Sequence, residues 1–253
     1  MSAATTHMSV ISAKNELNTP DAPLILTCSP RKDGNSDKAA HIVASTLAGV
    51  CADMGIVKPQ VLFLRDWPVL PCVACGACEK LAAVLSAPEP GAENAEAFWR
   101  KTLLNLQPGA PFLGCPLSRN DKSAPLFRAL LHAPRIFLLT PIYFYHVPAI
   151  LKALLDRCQA FWSLRLAGVT PPAPSRPCNV ILIAARKQGD RLFEGSLLSL
   201  QYALAPLNLR LDTPLTLKGL DLPGDLNDDC EAADAVREYA KSAVCAARLA
   251  THD

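Results

Sequence analysis

Three stretches of this 253-residue sequence combine residue types and spacing that suit chemistry. In the first, Cys72, Cys75 and Cys78 form a C-x2-C-x2-C triplet. Two-residue spacers let successive thiolates converge on one cluster face, as in the ligand runs of bacterial ferredoxins. Three thiolates held this close repel or oxidise without a metal, and the metal needs a fourth ligand. Cys115 is the candidate, because Pro116 follows it and such runs end on Cys-Pro. A zinc ion on four thiolates and redox-active free thiols are the alternatives. Zinc sites more often pair two C-x2-C knuckles, and only one tight triplet is present. An iron–sulfur cluster of the 4Fe-4S type is therefore placed ahead of zinc, and either ahead of free thiols.

The second stretch is 24–36. A short apolar run at 24–26 reads as a strand buried on both faces. Ser29, Pro30, Gly34 and Asn35 then turn the chain. Ala39, Ile42, Val43, Leu47 and Val50 follow on one helical face, with Asn35 or Ser36 as the cap. A helix N-terminus has free N–H groups and a positive dipole end, which suit an anion. Arg31 adds a forked donor matched to phosphate. An ordinary capped turn uses the same residue types, so this loop alone leaves both readings open. The third stretch, 141–148, is aromatic: Pro141, Ile142, Tyr143, Phe144 and Tyr145, then His146.

The elements around these stretches alternate. Apolar runs at 24–26, 61–64, 136–139 and 180–183, and a weaker one at 207–211, read as five strands. Amphipathic helices separate them, one of which starts near Pro148 with Leu151, Leu154, Leu155, Cys158 and Trp162 as its buried face. This is an α/β pattern with a parallel sheet. In such sheets the ligand lies beyond the carboxyl ends of the strands. The turns at 29–36, 141–148 and 185–190 all fall there.

Half the residues are apolar, ample for one core. The formal net charge is only +2 and the basic residues are scattered, so no nucleic-acid footprint is present. No segment has the roughly 18 uninterrupted apolar residues of a membrane helix. Residues 1–21 are polar, lack the apolar core of a signal peptide, and read as a loose tail before one domain at 22–253. Ten cysteines without an export signal point to a reducing cytoplasm rather than to disulfides. Cys28, Cys51, Cys158, Cys178, Cys230 and Cys245 mostly lie in apolar patterns and read as small core residues.

Together, 29–36 and the longer stretch 141–157 resemble the flavodoxin-like family of NAD(P)H-dependent FMN reductases. The resemblance covers most of the chain from Leu24 onward. It implies a doubly wound, five-stranded parallel sheet in the order 2-1-3-4-5. It implies FMN, with the phosphate on Ser29, Arg31, Asn35 and Ser36 and the ring along Pro141, Ile142, Tyr143 and Phe144. An aromatic wall suits a flat apolar ring. The third loop, with Arg186 and Gly189, would border the pyrimidine side, where a cation stabilises reduced flavin. The cysteine triplet, placed after the second strand, is similar to that of the iron–sulfur flavoproteins within the family. There the fourth cysteine follows within a few residues, whereas here 79–114 intervene and read as an insertion that folds outward and closes its ends.

The resemblance thus implies an FMN-dependent oxidoreductase moving electrons between NAD(P)H or ferredoxin, FMN and a 4Fe-4S cluster. A cluster-free FMN or quinone reductase, and a non-enzymatic flavin carrier with structural zinc, are the alternatives. The acceptor would be a small molecule or a redox protein, and the assembly a homodimer or homotetramer. No catalytic side chain is assigned, since flavin reduction needs no obligatory side-chain acid.

Overall fold

The run at 24–26 becomes the middle of a sheet. Strand β1 (Leu24–Thr27) is buried along its whole length, as a strand covered on both faces must be. The computed structural model describes residues 22–54, 57–86, 95–104, 111–172 and 174–250, without the side chains of 51–54, 103–104 and 245–250. The expected tail at 1–21 and the side chains of Cys51 and Cys245 lie outside that description.

In parallel with β1 run β2 (Gln60–Phe63) on one side and β3 (Ile136–Pro141) on the other. Next come β4 (Arg176–Ala184) and β5 (Leu209–Leu211), so the order is β2-β1-β3-β4-β5, a flavodoxin-like sheet. One strand exceeds the expected five. β5 pairs only with Arg176 to Cys178, and β6 (Leu215–Lys218) pairs with Ile181 to Ala184 further along β4. The edge position is shared between two short strands. β6 escapes a sequence reading because only Leu217 of its four residues is buried, too short an alternation to stand out.

The helices are α1 (Asn35–Met54), α2 (Ala77–Ser86), α3 (Ala95–Leu104), α4 (Ser123–His132), α5 (Ala149–Arg157), α6 (Gln159–Leu166), α7 (Glu194–Leu204), α8 (Asp225–Asp228) and α9 (Cys230–Ala250). The period of two along each strand divides the core. Leu24, Leu26, Leu138 and Val180 face the layer of α2 to α7, while Ile25, Phe137, Leu139 and Ile181 face α1, α8 and α9.

Two expectations are corrected. The helix from Pro148 breaks at Cys158, and Trp162, now on the separate helix α6, is 44% exposed rather than buried. The segment 79–114 does not simply fold outward. Phe98 and Trp99 of α3 are buried in the main core, and Trp99 stacks on Phe161 with ring centroids 6.2 Å apart. The drive to bury a large aromatic surface draws this helix inward.

Candidate functional site

The loops leaving β1, β3 and β4 meet at the carboxyl ends of the strands, the usual ligand position in an open parallel sheet. They line one small cavity of about 70 Å3. Of the expected cofactor residues, Ser29, Arg31, Asn35, Ser36, Pro141, Ile142 and Tyr143 all border it. Phe144, Arg186 and Gly189 are not among its walls.

The first loop is held by local bonds. The Arg31 backbone N–H donates to the Ser29 hydroxyl at 3.1 Å, a short turn that fixes the entry to the helix. Asn35 and Ser36 open α1, where N–H groups lack intrahelical acceptors. Two cradle side chains also hold the segment after β6. Arg31 Nη1 donates to the Asp221 carbonyl at 3.1 Å, and Asn35 Nδ2 donates to the Leu222 carbonyl at 2.9 Å. The Leu226 N–H in turn donates to Asn35 Oδ1 at 3.2 Å. Asn35 thus braces the loop with both ends of its amide.

Beneath this loop lies a pair the sequence reading missed. Asp37, in the first turn of α1, is buried against Arg65, which follows β2. Arg65 Nη2 stands 2.9 Å from Asp37 Oδ2 and Nη1 stands 3.0 Å from Oδ1. The available signal was an Arg directly after an apolar run, at the carboxyl end of a strand.

The second loop is a tight reversal. Tyr143 and His146 exchange backbone hydrogen bonds of 2.8 and 2.9 Å. Phe144 and Tyr145 between them have φ of 50° and 64°, a conformation bulky residues rarely adopt. Phe144 is fully exposed at the tip. Arg186 and Gly189 gather around Tyr145. Arg186 Nη1 donates to the Tyr145 hydroxyl at 2.8 Å, and a Cβ on Gly189 would come within 3.0 Å of that oxygen. His146 Nε2 lies 2.9 Å from Ser199 Oγ and ties the loop to α7. His146 is thus a partnered loop residue.

The cysteines form a second region. Cys72, Cys75, Cys78 and Cys115 line one cavity of about 420 Å3, with Arg157 and Gln159 opposite. Cys72 and Cys75 are exposed, and Cys78 and Cys115 half-buried. Left-handed residues separate the thiols: Ala74 and Gly76 lie within the triplet, Leu113 and Gly114 before Cys115. The Ala74 N–H points at Cys72 Sγ at 3.5 Å, and the Ser163 hydroxyl at Cys78 Sγ at 3.7 Å. The four thiols share a cavity without meeting at a point. Among the described residues, no group of three or more His, Cys, Asp or Glu side chains is placed to hold a metal ion.

A buried ion pair ties the two halves of this region together. Arg157 Nη1 stands 2.7 Å from Asp121 Oδ2, with both side chains almost fully buried. Asp121 also accepts the N–H of Leu70, just before the triplet, and the N–H and hydroxyl of Ser123, just after Cys115 and its turn. Burial alone would raise the Asp121 carboxyl pKa, but the bonds from Ser123, Leu70 and Arg157 outweigh it and hold the group below its usual value. The other described cysteines mostly behave as core residues. Burial pushes Cys158 and Cys178 up to about 12 and Cys28 well above the usual thiol value. Cys230 is exposed, contrary to the expectation.

No described helix is long and apolar enough to cross a membrane. No curated protein matches the sequence. Among solved structures, the fold is similar to a flavone reductase, at 10% identity and TM-score 0.50, covering 87% of this chain and 62% of that one. It is similar to the azoreductase of Bacillus anthracis str. Sterne at 13% identity and TM-score 0.51, covering 88% and 98%. The azoreductase AzrA gives 12% identity and TM-score 0.50, covering 88% and 99%. At such identities these likenesses show the fold alone. The sequence match is more telling: residues 24–191, which span all three loops and all four cysteines, place this chain in the NADPH-dependent FMN reductase family.

Proposed function

We propose that this protein uses FMN to pass electrons from NAD(P)H to a small-molecule or redox-protein acceptor. The observation that carries this reading is the meeting of the β1, β3 and β4 loops on one cavity. Its lining offers the donors a phosphate needs: Arg31, the Ser36 hydroxyl and the opening N–H groups of α1, with the Ser29 hydroxyl, which here donates to the Arg31 carbonyl at 3.1 Å, beside them. Asn35 acts here by holding the loop in shape. Pro141, Ile142 and Tyr143 offer a flat wall for the ring, with Phe144 at its outer edge. Arg186, through Tyr145, places a cation beside that wall. FMN, when bound, supplies the hydride acceptor and can release electrons singly. The test is titration of apoprotein with FMN and with riboflavin, which lacks the phosphate. Arg31→Ala should weaken FMN binding by about 1.5–3 kcal/mol and leave riboflavin nearly unaffected. Equal weakening of both flavins would remove Arg31 from the phosphate.

The finer part of the proposal is a 4Fe-4S cluster on Cys72, Cys75, Cys78 and Cys115. Its support is the shared cavity, the thiol-directed Ala74 N–H, and the Asp121–Arg157 pair that draws the two cysteine segments together. Ligation would take the exposed Cys72 and Cys75 thiols out of solvent. Anaerobic reconstitution followed by iron and sulfide analysis decides it. Cys115→Ser should lose both while FMN stays bound, and Cys158→Ser should keep both. Stoichiometric zinc instead would make the site a structural staple. The reading also takes 22–253 as one domain in a reducing cytoplasm, assembled as a homodimer or homotetramer.

A further inference from the structure

We infer that Arg65 and Asp37 are positioning residues for the flavin phosphate: Arg65 neutralises a buried carboxylate that would otherwise repel the phosphate from the α1 N-terminus. The inference rests on the placement of the phosphate at the 29–36 loop. Asp37 lies in the first turn of α1, and its side chain is only 2% exposed. The Thr27 hydroxyl donates to Oδ1 at 3.0 Å and the Asp33 N–H donates to Oδ2 at 2.9 Å. Asp33 has φ of 57°, so its N–H is turned inward by a conformation the carboxylate helps to hold. Asp37 therefore shapes the loop from below.

That service has an electrostatic consequence. A carboxylate in the first helical turn competes for the same positive dipole end that would receive the phosphate. Both groups are anions, and a buried charge is poorly screened. Arg65 meets Asp37 with two parallel bonds of 2.9 and 3.0 Å, the fork geometry that fits a carboxylate. Its guanidinium packs 4.5 Å from the centre of the Phe63 ring and is largely buried. Nη1 also stands 3.5 Å from the carbonyls of both Ser29 and Arg31. One guanidinium thus contacts the carboxylate and the backbone of the loop above it. With the pair neutral, Arg31 and the helix end retain their full attraction for phosphate.

Titration of apoprotein with FMN and riboflavin, read by flavin fluorescence, tests this. Arg65→Met should weaken FMN on the order of 10- to 100-fold while riboflavin changes by no more than about twofold. Adding Asp37→Asn to that variant removes the uncompensated charge and should restore most of the FMN affinity. Asp37→Asn alone should raise the preference for FMN over riboflavin, and it decides the matter should Arg65→Met fail to fold. Equal losses for both flavins in Arg65→Met, no restoration by Asp37→Asn, or an unchanged preference in the single Asp37→Asn variant would overturn the inference and leave the pair as packing alone. A wild-type protein that binds FMN no better than riboflavin would instead overturn the phosphate placement, and this inference with it.

Discussion

Two four-residue turns in this protein share a backbone shape and differ in their surroundings. Phe112 to Cys115 and Tyr143 to His146 are each closed by an isolated antiparallel bridge, and each carries two successive left-handed residues. The cysteine-side turn uses Leu113 and Gly114. Leu113 is buried, and Gly114 packs so tightly on α2 that a Cβ would meet Leu81 at 3.2 Å. The turn after β3 uses Phe144 and Tyr145, where turns of this shape favour Asn and Gly. Phe144 reaches into solvent, and Tyr145 is steadied by Arg186. Strain held by the surrounding core is ordinary architecture. In the turn after β3 no core packing holds the strain, and the aromatic rings are displayed at the loop tip instead.

The supports beneath the two regions differ as well. The 29–36 loop rests on the buried Asp37–Arg65 ion pair and borders one small cavity. The thiols rest on the Asp121–Arg157 pair, yet stand apart. The first pair lies under a loop that borders one small cavity, whereas the four thiols line a larger cavity without forming, among the described residues, a group placed to hold a metal ion.

The comparison can be broken at its strongest point. Asp121→Asn leaves Arg157 buried and uncompensated and should lower stability by roughly 3–5 kcal/mol in urea denaturation. Riboflavin and FMN should still bind to the folded fraction, because neither Asp121 nor Arg157 borders the cavity at the 29–36 loop. Since the folded carboxyl lies below its unfolded value, its stabilisation is present above about pH 4 and is lost as acid passes through the folded pKa. The Asn variant should lack that part of the acid dependence, which parallel melts at pH 7 and pH 3.5 would show.

The two turns should then respond with opposite signs. Gly114→Ala adds a Cβ at φ of 69° against Leu81 and should cost about 1–2 kcal/mol, read from the denaturation midpoint. Phe144→Gly relieves a left-handed aromatic and should raise Tm by about 2–4 °C in calorimetry. It should at the same time alter flavin absorbance or affinity. A Phe144→Gly protein that melts lower would mean the ring is packed rather than displayed.

Much of the site was legible because it is local. Apolar runs mark β1, β3 and β4, and Ser, Pro, Gly and Asn mark the loops that leave them. Parallel topology then requires those loops to gather at one end of the sheet. The triplet Cys72, Cys75 and Cys78 announces itself by spacing. What only the tertiary structure decided depends on partners distant in sequence. Asp37 and Arg65 are 28 residues apart, and Asp121 and Arg157 are 36 apart. Before the fold brings them together, each is one charged residue among many. Trp99 likewise stacks on a ring, Phe161, that is supplied from a distant part of the chain. The split of the sheet edge between β5 and β6 follows from which stretch of β4 is left unpaired. Pattern along the chain determines the elements and their capping, but burial of charge and aromatic surface depends on neighbours that no local pattern contains.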